Sequence, residues 1–364
     1  MKTINRYNVV VLGRTGVGKS TLVNYLYGKN EMETGVGESV TKAGFHPRDT
    51  EIEGFPVRIF DSWGLEPGKS EDWLQYLHDE LSKHSTAYSI EEWFHSIFFC
   101  IDASSHRIQP MEVEIIKKFV DEKYSLTIIL TKADADQQEQ IKDFSKKIQQ
   151  EIGHKVPIIP ASCCEPKVLI SGRKIEPFGK EQIKRQVYAN FWDSLSKRLP
   201  ERCKIIMCDK IDNWKQIQKT FINENVGVWN KIEMEQEMQK RTEILVEEIN
   251  KREVIFDEIS KAANMYKNFI DLIKIPPVSK NAPKDEFIAT FPESKIGEFS
   301  GWDYLLLPLM PILMPIFIFT ARADNKKDIL DGLNQTVLSM KKYIKETTPK
   351  IEEAINSIKI NHVK

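Results

Sequence analysis

Apolar residues follow two patterns along this chain. Up to about residue 200, short β-branched or aromatic runs alternate with stretches of helical period. Val9-Val10-Val11-Leu12, Val57-Arg58-Ile59-Phe60, Ser96 to Asp102, Leu126 to Leu130 and Val156 to Pro160 predict strands. Glu53-Gly54-Phe55 is a turn signal that would join Ala43 to Ile52 and Pro56 to Phe60 in a hairpin. Residues 168–175 suggest a second, smaller hairpin. A helix is predicted after Ser20, carried by Leu22, Val23 and Leu26 and stopped at Gly28. Further helices are expected on Trp73, Leu74, Leu77 and Leu81 within Gly68 to Tyr88, and on Val113, Ile116, Phe119 and Val120 within Glu112 to Tyr124. Ile183, Val187, Phe191 and Leu195 predict a helix from Lys180 to Leu199 that closes this half.

Beyond Pro200 the pattern changes. Asp212 to Lys274 is rich in Lys, Glu and Gln and contains no proline. A break is expected at Asn225 to Gly227. Phe256, Ile259, Ala263, Tyr266, Ile270 and Ile273 alternate spacings of three and four, a coiled-coil-like seam that ends at Ile275-Pro276-Pro277. Asn281 to Gly301 reads as a linker. Tyr304 to Ala321 then carries no charge but three prolines, Pro308, Pro311 and Pro315. Its length is at the lower limit for a bilayer span, and the prolines argue against a simple rod. Two readings stay open: a shallow membrane contact flanked by Arg322, Lys326 and Lys327, or burial in protein. Ile329, Leu333, Val337, Met340 and Ile344 predict a final amphipathic helix within Lys326 to Ile360, packed antiparallel to the earlier ones. The expected division is 1–205 and an all-α 206–364.

Composition adds limits. The 364 residues suit two domains. Formal net charge is -1, from 52 Lys plus Arg against 53 Asp plus Glu, so no basic excess invites nucleic acid. Five cysteines without zinc-site spacing fit reduced thiols in a cytoplasmic protein. The first residues, MKTINRYN, show no apolar leader.

Chemistry concentrates where predicted strands end. Gly13-Arg14-Thr15-Gly16-Val17-Gly18-Lys19-Ser20 is a full phosphate-loop pattern between a strand and a helix. Its glycines let successive N–H groups converge on phosphate oxygens, and the helix N-terminus points at the same anion. Thr15, Val17 and Thr21 complete the cradle. Lys19 can reach the β- and γ-phosphates, and Ser20 can ligate Mg²⁺. Asp61-Ser62-Trp63-Gly64 fits the D-x-x-G box of GTP-binding proteins: Asp61 would hold the metal through water and Gly64 N–H the γ-phosphate. Thr41, in the polar loop from Asn30, is the candidate for the metal-binding switch threonine, with Ser39 and Thr34 as alternatives. Thr131-Lys132-Ala133-Asp134 reads as a base-reading box. Its Asp134 would pair with guanine N1–H and the 2-amino group, which adenine lacks. The Lys132 stem would lie over the base, and N–H groups at Ala161-Ser162 would meet guanine O6. Leu65 follows Gly64 where small G proteins often carry a water-orienting glutamine, so either hydrolysis is slow or another group supplies the catalysis. Arg14 and Arg107 are candidates.

On GRTGVGKS, DSWG, TKAD and the Ala161-Ser162 pair, residues 6 to about 200 resemble a translation-factor-class P-loop GTPase domain. The resemblance is nearest to the Era-like, septin-like and immunity-related (dynamin-like) branch. It implies an α/β domain with a mostly parallel sheet and one antiparallel strand from the 43–60 hairpin. GTP or GDP and Mg²⁺ would be its ligands. Leu65 agrees with branches that often activate by dimerising through their nucleotide faces. Two functions remain: a GTP hydrolase coupled to a helical, peripherally membrane-bound domain, or an assembly module that holds nucleotide with negligible turnover. An ATPase is a distant third.

Overall fold

The computed structural model describes residues 6–27, 45–52, 55–62, 70–133, 137–163, 166–168, 174–250, 252–272 and 326–357. Expectations for Gly28, Thr41, Gly64, Leu65, Asp134, residues 169–173 and the 304–321 segment fall outside them.

Two compact units emerge, each with its own core. The first holds the described residues up to Lys197 and those from Met265 to Leu272. Its sheet has the order β2-β3-β1-β4-β5-β6. The strands are β1 (Tyr7–Gly13), β2 (Phe45–Ile52), β3 (Phe55–Ser62), β4 (Ser96–Asp102), β5 (Leu126–Thr131) and β6 (Ile158–Pro160). All neighbours run parallel except β2, which pairs antiparallel with β3. β1 lies between β3 and β4 and is buried along its whole length, which is why its sequence is a continuous apolar run. Between the strands come α1 (Lys19–Tyr27), α2 (Ser70–Lys83), α3 (Pro110–Asp121) and α4 (Gln138–Ile152). Trp73, Leu77, Ile116 and Phe119 of α2 and α3 join Leu12, Phe99 and Ile128 in one core, as their spacing predicts. The small hairpin is β7 (Lys167–Val168) with β8 (Lys174–Ile175).

Polar ties fix the opposite face. On α5 (Lys180–Asn225), buried Asn190 donates through Nδ2 to Ser96 Oγ at 2.7 Å and Thr127 Oγ1 at 3.0 Å. Asn190→Ala would strand both hydroxyls in the interior. It should cost about 2 kcal/mol, read as a lowered urea midpoint. Asn8 N–H donates to His95 Nδ1 at 2.9 Å, so His95 carries its proton on Nε2, where Ile90 O accepts at 2.9 Å.

One expectation needs correction. The helix from Lys180 does not close at Leu199 but runs through Pro200 for 46 residues, contributing to both units. Leu195, Leu199, Cys203 and Met207 stay buried at four-residue spacing. That continuous packing outweighs the roughly 3 kcal/mol that an interior proline costs. Of the expected seam, Ile259 and Tyr266 are buried, and the side chains of Phe256, Ala263, Ile270 and Ile273 fall outside the described ones. In α7 (Arg252–Leu272) the buried positions include Ile259, Ala262, Tyr266 and Phe269. Phe269 does not serve the helical unit. Its ring meets Phe191 at 4.7 Å and Phe55 at 4.9 Å inside the sheet-bearing unit.

The second unit is helical, made of described residues within 198–264 and 326–357. α5 turns at Val226–Trp229, where Gly227 takes φ +91°, into α6 (Lys231–Asn250). Trp214 Nε1 donates to Arg241 O at 3.2 Å across this pair. The last helix, α8 (Lys326–Ser357), buries Ile329, Leu333, Val337, Met340 and Ile344, the stripe read from the sequence. Among the described residues no helix is long and apolar enough to cross a membrane.

Candidate functional site

The sequence motifs converge at the carboxyl ends of β1, β3, β4, β5 and β6, where an open α/β sheet places its ligand crevice. Gly13 ends β1 opposite Cys100 of β4, with φ +139°. A Cβ there would sit 2.4 Å from Cys100 O, so only glycine lets the loop leave the sheet at this point. The chain then turns over the strand ends, and Lys19 opens α1.

Lys19 is only 6% exposed, and its Nζ donates to Gly13 O at 3.2 Å and Arg14 O at 3.1 Å. Burial pushes its pKa below the usual lysine value, against the smaller opposing pull of the Asp61 charge. A buried ammonium held mainly by carbonyls favours an anion at the loop mouth. Thr15 Oγ1, inside the same loop, is buried and makes no hydrogen bond. Ser20 Oγ donates to Asp61 Oδ2 at 3.0 Å, which brings together two of the three expected metal ligands. Asp61 is 2% exposed. An oxygen pair of this kind suits a hard divalent cation. Thr21 is exposed on α1, and Gly18 abuts Thr131, whose Cβ would lie 3.9 Å from an added methyl.

The base-reading box is tied to this loop. Thr131 Oγ1 lies 2.5 Å from Val17 O and 3.1 Å from Ile101 O. The threonine hydroxyl therefore bridges the loop and β4, where its single proton serves one carbonyl at a time. Lys132 follows with φ +53°, and its Nζ donates to Asp102 Oδ2 at 2.8 Å. Burial works to raise the Asp102 pKa. Hydrogen bonds from Lys132 and Ser104 outweigh it and hold the carboxyl below its ordinary value. Asp102 and Gly179 were not singled out by the sequence reading. A Cβ on Gly179 would lie 2.6 Å from Pro160 O, but its signal is one glycine before a helix. Asp102 left only a strand-ending carboxylate.

The expected contact from the Ala161 and Ser162 amides is corrected. Ala161 N–H donates to Leu130 O at 2.8 Å and Ser162 N–H to Phe178 O at 3.1 Å. Both donors are used in holding β5, β6 and the 178 segment together. Of the two candidate arginines, Arg14 is half-buried in the loop and Arg107 is exposed beyond β4. Glu112, 2% exposed, lies under the influence of Arg14, and burial raises its pKa.

A glycine-turned loop, a buried lysine at a helix start and a Ser–Asp pair on a mostly parallel sheet define a phosphate-loop nucleotide-binding domain. Residues 8–132 match the family described as 50S ribosome-binding GTPase, and this stretch is similar to P-loop GTPases of the septin and Era-like branch. Septin-12 of Rattus norvegicus is 22% identical over 205 residues, covering 50% of this chain and 57% of that protein. GTPase Der of Rickettsia prowazekii is 24% identical over 151 residues, covering 42% of this chain and 32% of that one. The chain thus spans a third to just over half the length of these curated relatives. The solved structure of Toc33 from Arabidopsis thaliana covers 54% of this chain and 88% of its own at 17% identity, with a TM-score of 0.40. GTP or GDP and Mg²⁺ are the ligands of such a domain, and the donors at Gly13–Ser20 and Asp61 fit them.

Proposed function

We propose that this protein binds GTP with Mg²⁺ at the Gly13–Ser20 loop, hydrolyses it to GDP and phosphate, and couples the change to its helical part. Residues 1–205 act as the GTPase domain, with Met265 to Leu272 packed into it, and the remainder of 206–364 acts as the helical domain. The observation that supports this best is the 3.0 Å Ser20–Asp61 contact beside buried Lys19. Bound magnesium would neutralise phosphate charge as it develops during hydrolysis. Lys19 takes the β- and γ-phosphates, and the N–H groups of the loop from Gly13 to Thr21 cradle them. Ser20, Asp61 and Thr41 hold the metal, and Gly64 N–H senses the γ-phosphate. Thr131 and Lys132 shape the base pocket, and Asp134 selects guanine. Equal affinity for ATP and GTP in a purine competition would contradict that role.

Leu65 cannot orient water, so the catalytic group comes from elsewhere. We assign it to a second copy meeting the first across the nucleotide faces, with Arg14, half-buried in the loop, as the candidate cation. Turnover per molecule should therefore climb at least several-fold as protein concentration rises through the dimerisation range. A constant rate in a monomer would remove the dimer. Phosphate release no faster than that of Lys19→Ala would favour the alternative, a nucleotide-gated assembly module.

The uncharged 304–321 segment supports a peripheral membrane contact for a cytoplasmic protein. Its deletion should reduce co-sedimentation with liposomes, and equal pelleting by a folded deletion variant would refute the contact. Nucleic acid is not an expected partner at a net charge of -1.

A further inference from the structure

The helical unit carries a basic groove that the nucleotide site does not use. Lys341 Nζ of α8 meets Asp212 Oδ2 of α5 at 2.6 Å, and residues 326–334 lie along residues 215–219. The two helices therefore run antiparallel and leave between them a groove of about 580 Å³. Lys215 and Lys219 line it from α5, Lys326 and Lys327 from α8, over buried Leu333. Asp331 is the one acidic group in the lining. None of the four lysines forms an ion pair among the described residues, whereas Lys204, Lys261 and Lys341 of the same unit each do. Four ammonium groups facing one groove repel each other unless an anion sits between them.

The surroundings say which anion. α5 ends at Asn225, six residues past Lys219, or about 9 Å along the axis. Just beyond, at the turn into α6, Val228 is 76% exposed and Ile232 69%. The uncharged 304–321 stretch ends five positions before Lys326. The groove lysines and the exposed Val228 and Ile232 thus lie toward one end of the helical unit, the combination that suits a lipid interface.

We infer that this groove seats the phosphate headgroups of an anionic membrane surface, with Lys215, Lys219, Lys326 and Lys327 as the contacting cations. The inference rests on the membrane-contact reading above, and its test separates the two. Lysine is a flexible point charge suited to a fluid array of phosphodiesters. Each one near an anionic surface contributes roughly fivefold in affinity, so two contribute about 25-fold.

The test uses the full chain and vesicles of phosphatidylcholine, with or without phosphatidylserine. Wild type should bind the phosphatidylserine vesicles, more weakly as salt rises. Lys215→Ala/Lys219→Ala, at partly and fully exposed positions of α5 where alanine keeps the helix, should bind them about 25-fold more weakly. Lys142→Ala/Lys147→Ala on α4 should match wild type, and all three should take up nucleotide alike. Equal binding by the groove variant overturns the inference. Wild-type binding that ignores phosphatidylserine overturns it too but leaves the membrane contact standing, and binding to neither vesicle removes both. Retention of free glycerophosphoserine as tight as that of vesicles would make the groove a soluble-anion site instead. Retention on polyglutamate without vesicle binding would assign it to an acidic protein.

Discussion

Lys19→Ala is expected to weaken guanine-nucleotide binding by a factor on the order of 10², measured by titration with a fluorescent guanosine analogue. The side chain would lose its charge-assisted hydrogen bonds to phosphate, each worth about 1.5 to 3 kcal/mol. Without nucleotide the same change should act differently on stability. Burial holds the Lys19 pKa below its unfolded value of 10.5. Below the folded pKa, its charge is therefore a cost to folding. Between the folded pKa and 10.5 the unfolded chain binds more protons, so this contribution improves as pH rises through that window. Urea titrations should show wild type gaining on Lys19→Ala as pH approaches 10.5. A parallel response of both proteins would mean that the buried ammonium is better compensated than Gly13 O, Arg14 O and Asp61 allow. Saturating GTP with Mg²⁺ should stabilise wild type far more than the variant.

Gly13→Ala should be the most damaging change at the site, costing about 2 to 6 kcal/mol against a typical total near 10. Two separate penalties add. An L-residue at φ +139° is strained, and the new Cβ would lie 2.4 Å from Cys100 O, a main-chain atom inside a strand pair. β1 or β4 must shift, and both are buried. Gly16→Ala isolates the first penalty, because at φ +79° its Cβ would meet nothing within 4 Å. It should cost about 1 kcal/mol. Equal urea midpoints for the two variants would show that the strand pair yields to the extra methyl, contrary to this account.

Much of this was legible in one dimension. The phosphate loop, Asp61-Ser62 of the D-x-x-G box and Thr131-Lys132-Ala133 of the TKAD box are contiguous runs, and their chemistry needs those residue types side by side. The strand runs and the stripes on α2, α3 and α8 were equally readable, because burial of one helix face or of a whole strand imposes a period on the local sequence. Elements that depend on distant partners were not. Pro200 looked like a stop because its cost is local, while the packing that carries α5 through it comes from other helices. Phe269 lay outside the seam read from the sequence, and only the tertiary structure puts its ring against Phe55 and Phe191. The Ala161 and Ser162 amides looked available until Leu130 O and Phe178 O were seen to accept from them.

Local pattern was thus enough for the nucleotide class, the strand and helix content and the change of character after Pro200. Three-dimensional packing alone set the sheet order, the Lys132–Asp102 and Ser20–Asp61 pairs and the meeting of Lys215 and Lys219 with Lys326 and Lys327. The reason is range: backbone sterics and periodic burial act within a few residues, whereas a salt link or a groove joins positions whose separation along the chain carries no periodic signal.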